Sequence, residues 1–162
     1  NLRKLFLNLK ASEQIRLLEI ITGNKRRKDY SKICLNAEEL NTLDKNSLIT
    51  IGAHTHTHTN LKILNKDEAI DDICKCTKIL ENLLKHEVKH FAYPYGGIDQ
   101  AYIREYEIIK NLNFSSAVTG RVYPIKYDNL FSLPRISVGK NSNEKEISNN
   151  LSGFYNLAVK FI

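Results

Sequence analysis

Apolar residues recur along this chain with two different periods, and the change of period marks its elements. Leu2, Leu5, Leu9, Leu17, Leu18 and Ile21 return at helical spacing and predict an amphipathic helix, with Ser12 and Gln14 able to start a second segment inside it. Residues 22–35 are polar, basic and loop-like. Asn36 followed by Glu39 has the form of a capping box and predicts a short helix from Ala37 to Asp44. Leu48 to Ala53 reads as a buried strand. Asn65 with Glu68 is a second capping box, ahead of a helix from Lys66 to about Lys85 that turns Ile70, Ile73, Ile79, Leu80, Leu83 and Leu84 inward. Val88 to Tyr93 is the next strand, broken by Pro94 to Gly97. Asp99 is placed to cap a helix running to about Leu112, and Asn113 suits the left-handed position beyond its end. Phe114 to Thr119 is a strand, Leu130 to Val138 holds a strand pattern around Pro134, and Asn143 to Leu151 is a short helix.

The middle of the chain therefore alternates strand, helix, strand, helix, strand, which is the signature of parallel βα units. In such folds chemistry gathers at the carboxyl ends of the strands. His54 to His58 follow one strand there, Tyr93 to Gly96 follow the next, and Leu133-Pro134-Arg135 lie in the last.

Three of the five histidines, His54, His56 and His58, fall in the first of these segments. Neutral imidazole leaves one ring nitrogen free to coordinate a metal. Two geometries are open. An extended segment puts all three rings on one face; a helical one puts His54 and His58 a turn apart and His56 away from them. His86 at a helix end and His90 within a strand read as structural, and Asp128 reads as a turn residue.

Composition narrows the picture further. At 162 residues, 42% hydrophobic and 26% charged, the chain has the make-up of one globular domain with a real core. No apolar run reaches the length of a membrane span. The net charge of +6 includes the run Lys25-Arg26-Arg27-Lys28, which has neither aromatic interleaving nor a reader motif and so does not imply nucleic acid; an anionic glycan or a membrane surface would also suit it. The three cysteines, Cys34, Cys74 and Cys76, are an odd set without framework spacing and read as packed thiols in a reducing compartment. The chain contains no methionine and opens at Asn1 in helical pattern, so it is expected to be processed or part of a longer protein, and cytoplasm and cell envelope both stay open.

Residues 51–61 (IGAHTHTHTNL) resemble the second motif of the polysaccharide deacetylases, the NodB-homology family, and residues 91–96 (FAYPYG) resemble their third. The intervening helix matches as well. Asn113 to Thr119 resembles the strand after the next helix, and Leu133 to Val138 resembles the closing Leu-Pro-Arg segment of one branch. The likeness runs from about Asn36 to Gly139. It implies a deformed (β/α) barrel, with residues 1–35 a helical insertion and basic loop and residues 36–162 the C-terminal part of the deacetylase domain.

The resemblance further implies metal-dependent hydrolysis of N-acetyl, sometimes O-acetyl, groups on an acetylated amino-sugar glycan of a bacterial surface or cell wall. His54 and His58 match the family's metal-binding histidines, with Zn²⁺ the implied ion and Co²⁺ or Ni²⁺ possible substitutes; His56 is the variable position between them. Tyr95 supplies the backbone oxyanion donor, and Tyr93, Pro94, Tyr95 and Gly96 line the substrate. Arg135 stands as a second-layer partner of the catalytic carboxylates. The chain departs from the family's pattern in three ways. The Thr-Phe-Asp-Asp motif that carries the base and the third ligand is absent, and its counterpart is expected upstream; Asp71-Asp72, the one Asp-Asp pair, lies mid-helix after the histidines. Ala92 stands where many members have arginine, and no histidine follows His90. Missing barrel strands would leave edges open to self-association. A glycan-binding pseudoenzyme, or a module holding metal through all three imidazoles, are the alternatives.

Overall fold

The computed structural model describes residues 2–23, 33–123 and 129–152. The basic run at 25–28, Asp128 and the apolar tail from Phe154 lie outside the described residues. The elements in chain order are α1 (Leu2–Phe6), α2 (Ala11–Thr22), α3 (Ala37–Asp44), α4 (Lys66–Leu84), β1 (His90–Ala92), α5 (Ile103–Lys110), β2 (Ser116–Val118) and α6 (Glu144–Leu151), with 3₁₀ turns at Leu61–Ile63 and Leu130–Ser132.

β1 and β2 pair in parallel, with His90 opposite Ser116 and Ala92 opposite Val118. Ala53 joins the far side of β1 and Leu133 the far side of β2, both again parallel. Four chain segments thus stand side by side in sequence order, all pointing one way. A barrel wall has this order; a doubly wound sheet reverses it at a switch point. α4 and α5 are the crossovers, and the loops after Ala53, β1, β2 and Leu133 open at one end of the sheet.

The core lies between this sheet and the two crossover helices. Phe91 packs against Tyr93 and Phe114 with ring centroids 5.2 and 5.4 Å apart, and Ala53, Ile73, Ile109 and Ala117 are fully buried around them. Tyr93 donates its hydroxyl to the Phe131 carbonyl at 2.8 Å, tying β1 to the last segment. The expected inward stripe of α4 is only partly realised. Ile73 and Leu84 are buried and Ile70 and Leu80 half-buried, whereas Ile79 and Leu83 are exposed. At 100° per residue, the last two stand roughly 80–120° round the helix from Ile73, off the face that meets the sheet.

Local signals set several boundaries. The Asn36 and Asn65 side chains accept from Glu39 and Glu68 backbone N–H groups at 2.9 Å each, and the two glutamates close both capping boxes. Asn113 takes the left-handed conformation expected of it, φ 62°. The helix after Asp99, however, begins only at Ile103, where Glu105 accepts the Tyr102 N–H at 2.9 Å. Of the strand expected over Leu48 to Ala53, only Ala53 enters the ladder; Leu48 is 92% exposed, on an edge that has no further partner among the described residues. Likewise Leu133 alone pairs from the segment around Pro134, a residue with no N–H to give a ladder.

The N-terminal helix is broken. Gln14 donates to the Phe6 and Leu9 carbonyls at 2.9 Å each and holds the corner between α1 and α2. Asn60 donates to the Leu7 carbonyl at 3.1 Å and docks the corner on the domain. The apolar stripe of these helices stays open among the described residues, with Leu2, Leu5, Leu18 and Ile21 exposed. Cys34 is exposed rather than packed, while Cys74 and Cys76 are half-buried, and all three are free thiols.

His86 is structural in a way the sequence did not show. Its Nδ1 faces the Glu87 carbonyl at 3.0 Å and its Nε2 faces Asp44 at 2.7 Å, joining the end of α3 to the chain after α4. Both acceptors are satisfied by ring N–H groups together only in the imidazolium, so the Glu87 carbonyl first, and then Asp44, hold its pKa above the ordinary 6.5. A histidine whose folded pKa exceeds its unfolded value binds its proton more tightly when folded. Its stabilisation is complete below the unfolded value and is lost as pH rises through the folded one. An NMR titration is expected to place His86 above 6.5 in the protein and lower in Asp44→Asn; equal values in the two would remove Asp44 from the account.

Candidate active site

The histidine segment adopts neither an extended nor a helical shape. Thr55 and His58 both take left-handed conformations, φ 63° and 56°, so the chain folds back on itself. For a β-branched residue such as Thr55 this is a strained state, costing on the order of 1–3 kcal/mol. Thr55 Oγ1 accepts the His58 N–H at 3.1 Å and closes the turn. The result brings the His54 and His58 rings edge to face, centroids 4.9 Å apart. His56 is exposed and points elsewhere, its own N–H bonded to the Asp72 carbonyl at 3.2 Å.

His54 is oriented by the neighbouring strand. Its Nδ1 lies 2.7 Å from the Ala92 carbonyl, which can only accept, so Nδ1 carries a hydrogen, and in the neutral ring the free lone pair is then on Nε2. Metal-binding histidines are commonly held this way by a second partner. His58 sits between the His54 ring and the Tyr95 ring, 4.8 Å from the latter. Desolvation first, and then the neighbouring His54, hold the His58 pKa below its usual value. Burial pushes the nearby Cys76 thiol upward, opposed by a hydrogen bond with the His54 backbone.

The loop after β1 forms the facing wall. Tyr95 is left-handed at φ 61° and 39% exposed, and its N–H meets no acceptor among the described residues. Gly96 donates to the Pro94 carbonyl at 2.7 Å and accepts from Gly120 at 2.9 Å, which fixes the turn against the end of β2. Of the residues expected to line a substrate, Tyr95 alone offers an exposed side chain. Tyr93 and Pro94 are buried, because strand alternation turns Tyr93 into the core; burial there also drives its hydroxyl pKa far upward. Gly96 is buried as well.

Arg135 is exposed and reaches no carboxylate among the described residues; its backbone N–H bonds the Arg121 carbonyl at 3.0 Å. His90 is held by Ser116 at 2.9 Å, away from the histidine turn. Among the described residues no group of three or more His, Cys, Asp or Glu side chains is placed to hold a metal. That removes the three-imidazole arrangement and leaves His54 and His58 as a pair, a donor set that suits two corners of a tetrahedral zinc site. Asp72 was missed by sequence reasoning. It is buried beside the histidine turn, with its carboxylate on Thr57, and its place mid-helix after the histidines gave no signal of that contact.

The imidazole pair stands at the carboxyl ends of the strands of a parallel α/β wall. No curated protein matches the chain significantly. The family model described as polysaccharide deacetylase matches residues 9–114. Among solved structures, the deacetylase PplD of Streptococcus pyogenes in complex with acetate is similar at TM-score 0.64 and 20% identity, over 72% of this chain and 50% of that one. A polysaccharide deacetylase from Bacillus cereus gives 0.61 and 18%, over 73% and 37%. A de-N-acetylase from Aggregatibacter actinomycetemcomitans gives 0.56 and 12%, over 78% and 59%. The chain thus spans between 37% and 59% of these structures' lengths. It belongs to the polysaccharide deacetylase family, with the α/β fold of that family. No helix among the described residues is long and apolar enough to cross a membrane.

Proposed function

We propose that the protein hydrolyses acetyl groups, N-linked first and O-linked second, on an acetylated amino-sugar glycan of the bacterial surface or cell wall. The observation that carries the reading is the His54–His58 pair, with the His54 Nδ1 hydrogen committed to Ala92 and Nε2 left free. The acetate held by the streptococcal structure supports it, since acetate is the small product of such a reaction.

In this reading His54 and His58 hold a divalent ion, Zn²⁺ with Co²⁺ or Ni²⁺ as substitutes, through unprotonated imidazole nitrogens. Such an ion supplies an acidified water and a polarised acetyl carbonyl, with a carboxylate from outside the described residues as the third protein ligand. The Tyr95 N–H donates to the oxygen that gains charge as the carbonyl is attacked; an oriented backbone donor of this kind is worth about 10²–10³ in rate. The Tyr95 ring, exposed beside His58, offers a face on which a sugar can stack.

The test is metal content and acetate release, measured together on N-acetylated and O-acetylated amino-sugar oligomers. It is run on this chain and on a version extended at its N-terminus. Stoichiometric metal and acetate release in the longer version, lost with His54→Ala, is the expected result. Glycan binding without acetate release by either version would replace the enzyme with a binding module.

A further inference from the structure

We propose that Asp72 is a positioning residue: from α4 it clamps the turn between the two histidines and so sets where His54 and His58 stand relative to each other. The inference rests on the reading of those histidines as a ligand pair. Asp72 is 8% exposed, an uncommon burial for a carboxylate, and forms no ion pair among the described residues. Its hydrogen bonds run instead to the histidine turn. The carboxylate accepts the Thr57 hydroxyl at 3.1 Å and faces the Thr57 N–H at 3.5 Å, while the Asp72 carbonyl accepts the His56 N–H at 3.2 Å. Thr57 also shares a hydroxyl contact of 2.7 Å with the buried Thr59, so the clamp continues into the chain beyond His58.

The clamp sits where it is needed. Thr55 and His58, on either side of the clamped residues, are the two left-handed positions of the turn. A strained turn persists only when its surroundings over-determine it. Inside the turn, the Thr55–His58 bond is one restraint; from outside, α4 grips its middle at His56 and Thr57. The middle carries no ligand, yet fixing it fixes both ends. Asp72 touches neither imidazole, so it acts through the backbone.

The test separates geometry from metal binding. In the metal-free protein, NMR is expected to show ring-to-ring contacts between His54 and His58 and backbone couplings of a left-handed His58. Asp72→Ala deletes the carboxylate's grip on Thr57 and keeps the main-chain bond to His56, and is expected to weaken these signals while the circular dichroism of the folded protein is kept. Asp72→Asn retains an oxygen that accepts from Thr57 and is expected to preserve them. Thr57→Val, which deletes the donor at nearly constant shape, is expected to weaken them and serves if Asp72→Ala does not fold. Unchanged ring contacts and couplings in Asp72→Ala and Thr57→Val would overturn the proposal. Zn²⁺ titration of the same proteins is expected to show binding weakened about 10- to 100-fold by Asp72→Ala, the range for residues that orient ligands, with rescue by Asp72→Asn. Equal Zn²⁺ affinity in Asp72→Ala and the parent would also count against positioning. No Zn²⁺ binding in any of them would sink the ligand-pair reading, with the NMR result still deciding the clamp.

Discussion

Gly96→Ala is expected to remove a large part of the stability of this protein. Gly96 is left-handed at φ 64°, and a Cβ there would lie 2.9 Å from both the Gly120 Cα and the Thr119 carbonyl carbon, and nearer still to the Gly120 nitrogen. All are backbone atoms, and they have no room to yield. Gly120 donates to Gly96 at 2.9 Å, Thr119 donates to Leu133 at 2.8 Å, and Tyr93 donates to Val118 at 3.1 Å. Left-handed alanine costs about 1–2 kcal/mol and forced overpacking about 1–3 more. Against a domain stability of roughly 5–15 kcal/mol, the sum moves a urea midpoint far or abolishes the transition. Gly23 isolates the steric part. It has φ 60° and nothing within 4 Å, so Gly23→Ala is expected to show the conformational cost alone. Equal midpoint shifts in the two variants would mean that the contact between Gly96 and the end of β2 contributes nothing.

His54→Ala and His58→Ala are each expected to weaken Zn²⁺ binding by at least about a hundredfold, more than the loss of a residue that only orients a ligand. His56→Ala is expected to stay within about twofold of the parent, the scale of an exposed substitution that breaks nothing. The contrast follows from the turn. Its two left-handed residues bring the first and third rings to a centroid distance of 4.9 Å and leave the second outside the pair. Chelator competition on the three variants reads the difference directly. Equal losses in all three would restore a site built from three imidazoles.

The sequence and the structure agree most closely where signals are local. Asn36 with Glu39 and Asn65 with Glu68 are contacts across a single helical turn, and they form as read. The order of βα units and the pairing of His54 with His58 were legible too, the second through its motif rather than its backbone shape. Departures arise where a long-range partner decides. Leu48 carries a strand pattern, but a strand needs a neighbour, and only Ala53 has one. Asp99 has the chemistry of a cap, yet the Gly97 carbonyl accepts from Gln100 and Ala101 and delays the helix to Ile103. Tyr93 resembles a substrate contact by its motif, whereas alternation along β1 sends it inward to Phe91 and Tyr106. Asp72 stood in the wrong place for a catalytic carboxylate, and the folding-back of residues 55–58 gives it another role.

The orienting bond from His54 ends on a peptide oxygen, that of Ala92, and not on a side chain. No substitution at position 92 can delete that acceptor, so the orienting bond does not depend on the chemistry of the side chain there. The bond instead depends on alignment between strands: Ala53 donates to His90 at 2.8 Å and accepts from Ala92 at 2.9 Å, one residue before the histidine. A slip of one residue along this edge would replace a carbonyl that faces the histidine segment by one that faces the strand on the other side. The tautomer of the neutral His54 ring therefore reports whether the sheet is in register.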